Sequence, residues 1–189
     1  MIQTAIPSAK TVSPRGGGYI QASDITAVAS QGMENWVILE SQNPVLVSSA
    51  VNVLSAMPDN YKIRLFTLQK NDAYEWHEVS SMRLAKLNFT FPSVNKNIDD
   101  EDRNPFLISY KNKYGVLPNR YAIRGFDVTY DVLLRLAAEK DIYDAIMPES
   151  ETVYIENKFR YEKSKTEGYC NEAAYILKYN DDLKFEVVE

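Results

Sequence analysis

Apolar residues recur at helical spacing along two adjacent stretches of the chain, and this pattern predicts a pair of helices. Phe106, Tyr110 and Tyr114 lie four residues apart, so they share one helix face. Gly115 supplies a left-handed C-cap and Pro118 prevents the first helix from continuing. A second helix follows, because another apolar series resumes at the same spacing. The expected core-facing stripe of this helix consists of Phe126, Tyr130, Leu133, Leu134 and Ala137.

Short apolar runs ahead of this pair predict three strands with helices between them. The predicted strands cover residues 36–39, 61–68 and 87–91. The first is a continuous apolar run, which is typical of a strand that is buried on both faces. One helix is expected after Ser23 as its N-cap. Another is expected to begin at Pro44, with Asn43 as its cap.

This order of elements predicts an α/β fold with a mainly parallel sheet and helices on both faces, in three layers. Residues 152–189 are expected to form a small antiparallel addition, with a turn at Asp181 and Asp182. Residues 22–189 are therefore interpreted as a single α/β lobe. Residues 1–21 lack the apolar region of a secretion signal and contain three glycines at 16–18. They are interpreted as a flexible leader or an artificial start inside a longer gene.

Composition limits the classes of partner. The chain has 189 residues, of which 45% are hydrophobic and 25% charged, and a net charge of −5. The negative balance argues against nucleic acid as a partner. No apolar run approaches the roughly 20 residues that span a bilayer. Cys170 is the single cysteine, which excludes an internal disulfide and a cysteine-based metal cluster.

Few residues offer catalytic or metal-binding chemistry. His77 is the single histidine and no G-x-S-x-G elbow occurs, so a Ser-His-Asp triad is not predicted. The acidic run 97–102 lacks EF-hand spacing and is interpreted as a solvated loop. Asp127 and Asp131 would share a helix face. Asp127 is interpreted as a structural charge in the first turn of its helix, where Gly125 would allow close approach to the sheet. We therefore expect no enzyme activity, no cofactor and no metal.

Ligands of parallel sheets bind beyond the carboxyl ends of the strands, which here are the loops 41–43, 69–76 and 92–95. The loop 41–43 leads directly into a predicted helix N-terminus. Backbone N–H groups and the helix dipole at such a place suit a carboxylate or another anion. An ordinary N-cap is the alternative interpretation of the same residues.

The helix pair carries the pattern F-x-x-x-Y-x-x-x-Y-G-x-x-P followed by A-x-x-G-F-D, at 106–118 and 122–127. It resembles the C-terminal lobe of type I periplasmic binding proteins, the two-lobed receptors for branched amino acids and related ligands. Residues 35–43 are similar to the strand and loop that open this lobe. The ending at 167–183 resembles a Bacteroidetes branch of envelope proteins that are often joined to peptidoglycan-binding LysM repeats. The similarity covers roughly residues 22–189.

The resemblance implies a ligand between two lobes, and therefore a missing N-terminal lobe in the same or another chain. It implies a periplasmic or cell-envelope location. The residues that match the three contact loops are Ser41, Gln42 and Asn43, then Gln69 and Lys70, then Ser93. The expected function is non-enzymatic recognition or sensing of a small molecule, such as an amino acid or a peptidoglycan fragment. The alternative is a protein-interaction module in cell-wall maintenance that has lost its ligand.

Overall fold

The computed structural model describes residues 2–98, 104–146, 151–165 and 168–188. Most of the acidic run 97–102 lies outside these ranges, as does Glu167. The chain forms two compact units. The first comprises Met1–Pro92 with Ile176–Glu189, and the second comprises Ser93–Tyr175.

The protein is mixed α/β. Its described α-helices are α1 (Ile2–Ala5), α2 (Ala22–Thr26), α3 (Pro44–Ser55), α4 (Ser81–Lys86), α5 (Pro105–Tyr114) and α6 (Arg120–Ala138). The first strands in the chain are β1 (Asn35–Ile38), β2 (Ile63–Phe66) and β3 (Thr90–Ser93). The remaining described strands are β4 (Thr152–Val153), β5 (Lys158–Phe159), β6 (Tyr161–Lys163), β7 (Tyr169–Asn171), β8 (Tyr175–Tyr179) and β9 (Phe185–Val187).

A five-stranded mixed sheet has the order β1-β2-β3-β8-β9. β1 pairs with β2 and β2 with β3 in parallel, whereas β8 and β9 form an antiparallel hairpin. The turn of this hairpin contains Asp181 and Asp182, as predicted. Two strands differ from their predicted limits. Tyr61 lies in a short 3₁₀ turn before β2, and Leu87 follows α4, so that β3 begins only at Thr90 and continues through Pro92.

Helix α3 forms much of the core of the first unit, and its start is as predicted. The Asn43 side chain accepts the Val45 N–H at 3.0 Å. Pro44 occupies the first turn, where a backbone N–H would have no acceptor within the helix, so that the lack of an N–H in proline costs no hydrogen bond. The buried hydrophobic residues of α3 are Val47, Ala50, Val51 and Leu54. The helix packs against α4 and the turn Asp72–Tyr74. Leu65 of β2, Leu84 of α4 and Phe89 are also fully buried in this unit.

Two predictions for the first unit are wrong. β1 lies at the edge of the sheet, and Trp36 is 68% exposed, so this strand is not buried on both faces. Helix α2 begins at Ala22, which places Ser23 inside the helix rather than at its cap. The residue before the helix is Gln21, whose N–H donates to the Asp24 carboxylate at 3.0 Å.

In the second unit, α5 and α6 form the predicted helix pair. Gly115 ends α5 with a φ of 75°, which confirms the predicted left-handed cap. Asn119 caps α6 by accepting the N–H groups of Tyr121 and Ala122. The helices contact each other through stacked rings of Phe106 and Phe126, whose centroids lie 4.1 Å apart.

The buried face of α6 is not the predicted one. Its buried residues are Ile123, Asp127, Asp131 and Arg135. Leu133 is 58% exposed, and Tyr130 and Leu134 are also exposed. Because α6 begins at Arg120, Asp127 lies in the third turn, and the first-turn dipole explanation for it is wrong. The prediction for Gly125 is wrong too, because a Cβ there would meet nothing within 4 Å. Among the described helices, none is long and apolar enough to cross a membrane.

Candidate functional site

The loops that follow β1 and β2 meet at the carboxyl ends of these parallel strands. The Asn71 side chain donates to the Ser41 carbonyl at 3.1 Å. The Tyr74 hydroxyl donates to the Leu39 carbonyl at 2.5 Å. The Glu40 carboxylate accepts from the Thr67 hydroxyl at 2.8 Å and from the Leu68 N–H. Glu40, Asn71 and Tyr74 therefore hold the two loops together, and sequence reasoning did not single them out.

Several of the predicted ligand residues are already used by the protein itself. Ser41 Oγ accepts the Asn43 N–H at 3.0 Å, and the Asn43 side-chain oxygen caps α3. Gly18, at a φ of 84°, lies so close that a Cβ on it would be 3.2 Å from Asn43 Nδ2. The chain's own glycine segment thus contacts the capping residue at the N-terminus of α3.

The other predicted residues fall into two groups. Lys70 and Ser93 have partners within the chain, whereas the side chains of Gln42 and Gln69 are exposed to solvent. Lys70 forms an ion pair with Glu75, and its ammonium lies 5.8 Å and 5.6 Å from the ring centroids of Phe91 and Phe185. Gln42 and Gln69 are exposed, and their carboxamides point to no described partner. Ser93 belongs to the second unit, where its hydroxyl donates to the Asn95 carbonyl at 2.6 Å. Among the predicted ligand residues, Gln42 and Gln69 are therefore the ones whose polar groups remain open.

The second unit contains a fully buried carboxylate at Asp127. This carboxylate accepts the backbone N–H groups of Ile155, Glu156 and Asn157 at 3.2, 3.0 and 3.0 Å. The Asn157 side chain donates to it as well, at 2.9 Å. Four hydrogen bonds hold this one carboxylate, and hydrogen bonds to an ionised group are strong. Asp127 therefore fastens the segment 155–157 to α6.

One helical turn further, Asp131 is also fully buried. Its carboxylate accepts from Arg135 Nε, Thr152 Oγ1 and Tyr154 OH, each at 2.9 Å, and from Tyr161 OH at 3.0 Å. Burial raises the pKa of Asp131, but the hydrogen bonds from its partners, led by Arg135, outweigh burial and hold that pKa below its usual value. The pKa of Tyr161 rises to about 12, because the ring is buried and because Asp131 is negative.

This arrangement is a structural clamp, because it ties α6 to residues 152–161. Every carboxylate oxygen of Asp127 and Asp131 accepts a hydrogen bond from the chain's own donors. Over the described ranges, no group of three or more His, Cys, Asp or Glu side chains is arranged to hold a metal ion.

A cleft of about 500 Å³ opens in the first unit, next to the residues that precede β1 and β2. Sequence reasoning missed it, because it combines residues from α2, the last turns of α3 and two turns. Its lining is uncharged and consists of Ala22, Thr26, Gln31, Asn52, Val53, Ala56, Met57, Pro58, Asn60 and Tyr61. Gln31 Nε2 donates to the Tyr61 hydroxyl at 3.0 Å, which orients the carboxamide.

The comparisons with known proteins give no family for this chain. No protein-family model, no curated protein and no solved structure matches it.

Proposed function

We propose that the chain is a non-enzymatic recognition lobe of a bacterial cell-envelope protein, which functions together with a second lobe in the same or another chain. The proposal rests on the resemblance to type I periplasmic binding proteins. That resemblance implies a three-layer α/β lobe and a periplasmic location. The mixed α/β sheet with parallel β1, β2 and β3 agrees with this fold. The observation that carries the proposal is an uncovered apolar surface on α6.

This surface, the α6 stripe, consists of Tyr130, Leu133, Leu134 and Ala137. At the N-terminal end of α6 the same helix face is covered by α5, through the stacked rings of Phe106 and Phe126. Towards the C-terminal end all four residues of the stripe are exposed. Burying a leucine side chain is worth about 1.5–3 kcal/mol. An amphipathic helix that leaves such a stripe exposed favours association with another folded surface, and a second lobe would supply one.

Replacing both Leu133 and Leu134 with glutamate tests the stripe. We expect the free energy of unfolding of the chain to change by less than about 0.5 kcal/mol, because both side chains contact solvent. Binding of a dye that fluoresces on apolar surfaces should fall several-fold. Val153→Glu is the matched control, since Val153 is exposed in the same unit outside the stripe. A loss of more than about 2 kcal/mol would show that the leucines belong to the chain's own core, and the proposal would fail.

Small-molecule recognition at the strand ends is the first form of this function, with an amino acid or a peptidoglycan fragment as ligand. Gln42 and Gln69 are the contact residues that remain open there. The second form is a protein-interaction module in cell-wall maintenance that has lost its ligand. The internal use of Ser41, Asn43 and Lys70 favours this second form, because their polar groups are already bonded.

An NMR titration of the labelled chain with amino acids and short muropeptides separates the two forms. In the first form we expect a Kd of about 1 mM, because one lobe supplies only part of the contacts. The chemical shift changes should be confined to residues 41–43 and 69–71. Gln42→Ala should abolish these shifts at unchanged stability. Asn43→Ala should instead lower stability by about 1 kcal/mol, because it removes the α3 cap. No shift with any probe, from a folded chain, would reject the first form.

A further inference from the structure

The turn between α5 and α6 exposes a cluster of apolar and aromatic side chains. We call residues 114–121 the tip. Val116 is 63% exposed and Leu117 is also exposed, and Tyr114 and Tyr121 flank them, the latter 73% exposed. Single exposed apolar residues are common on protein surfaces. Here four of them lie within eight residues of sequence, and clustered exposed apolar side chains mark interaction surfaces.

The tip belongs to a cationic stretch of the sequence. Between Asn104 and Phe126 the sequence contains Lys111, Lys113, Arg120 and Arg124 and no acidic residue, although the whole chain carries a net charge of −5. Lys111, Lys113 and Arg120 are exposed. Towards the C-terminus the next carboxylates, Asp127 and Asp131, are buried and hydrogen-bonded, and the acidic run 97–102 precedes the N-terminal end of α5 in the sequence. The exposed charges that lie nearest to the tip in the sequence are therefore positive, and they favour a negatively charged partner.

The order of side chains at the tip matches a membrane interface. Val116 and Leu117 stand at the turn, where they can enter the boundary of the acyl chains. Tyrosine rings favour the level of the lipid headgroups. Lysine and arginine behind them attract anionic lipids. A protein interface is a weaker match, because the cores of protein interfaces are depleted of lysine and two of the three exposed cations are lysines.

We propose that the tip docks peripherally on an anionic lipid bilayer. Docking of this kind needs no membrane-spanning helix. It uses the N-terminal end of α6, whereas the α6 stripe begins at Tyr130. Tyr130 lies ten positions after Arg120 along the helix, a distance of about 15 Å. The two surfaces are therefore distinct, and the proposal does not depend on the proposed function.

Co-sedimentation of the full chain with vesicles tests the proposal. We expect binding to vesicles that contain phosphatidylglycerol, weaker binding at high salt, and little binding to pure phosphatidylcholine. Val116→Glu with Leu117→Glu should reduce binding at least tenfold, and Val153→Glu should leave it unchanged. Lys111→Glu with Lys113→Glu should reduce binding more than about 25-fold, because each cation near the surface contributes about fivefold.

Three results would overturn the proposal. The first is a wild-type chain that does not sediment with anionic vesicles at low salt. The second is binding that survives both double substitutions in folded variants. The third is an effect of the tip substitutions on self-association alone, which would assign the tip to a protein partner. Circular dichroism establishes that each variant is folded. Should the Val116 and Leu117 variant unfold, the lysine variant decides, since its substitutions affect exposed side chains.

Discussion

Replacing Asp127 with alanine should lower the free energy of unfolding of the second unit by about 3–5 kcal/mol, because several buried donors lose their acceptor. The carboxylate is fully buried, and its loss leaves three backbone N–H groups at 155–157 without their acceptor. Each unsatisfied buried donor costs about 1–3 kcal/mol. Urea unfolding measures the total loss. Hydrogen exchange of the amides at 155–157 should report it locally, because these amides lose their protecting bond.

Two further variants show whether the expected loss of stability comes from the Asp127 carboxylate or from any substitution in this helix. Asp127→Asn keeps the shape and one acceptor oxygen, so an intermediate loss is expected. Thr129 is exposed on the same helix. Thr129→Ala should therefore change the free energy of unfolding by no more than about 0.5 kcal/mol. If Asp127→Ala costs about as little as Thr129→Ala, the carboxylate does not hold the segment 155–157, and the clamp interpretation is wrong.

Local signals in the sequence predict the start of α3 and the end of α5 correctly, whereas the predicted Ser23 cap of α2 is wrong. Asn43 with Pro44 and Gly115 with Pro118 act on backbone groups within a few residues, so their effect depends little on the rest of the fold. The parallel pairing of the first three strands also follows from the alternation of strands and helices. The same rule predicts that the loops after β1 and β2 lie at one edge of the sheet. It does not identify the side chains that join these loops.

The faces of α6 could not be predicted, because apolar spacing is the same for a covered and an uncovered stripe. The partners of Asp127 lie 28 to 30 residues further along the chain, beyond any local pattern. Trp36 illustrates the same limit in a strand. Its apolar run suggests burial on both faces, but exposure follows from the place of β1 at the sheet edge, which the run itself does not encode.

Asp131 should make the stability of the second unit depend on pH below about 4. Its pKa is lowered in the folded protein relative to the usual value near 3.9, despite burial, by hydrogen bonds led by that from Arg135. A group with a lowered folded pKa contributes its full stabilisation above its unfolded pKa. That contribution is lost as the pH falls through the lower folded pKa. Stability should therefore drop on acidification over this range, and Asp131 should contribute to the drop.

Asp131→Asn isolates this contribution. At pH 7 the variant should be less stable by about 3–5 kcal/mol, because Arg135 remains buried without its ion-pair partner. Urea unfolding at several pH values should show the gap between variant and wild type narrowing below about pH 4, since the wild-type carboxylate is then protonated as well. Asp141→Asn, an exposed position, controls for the loss of one carboxylate. A gap that stays constant down to about pH 2 would mean that the shape of the Asp131 side chain, and not its charge, stabilises the network around Arg135.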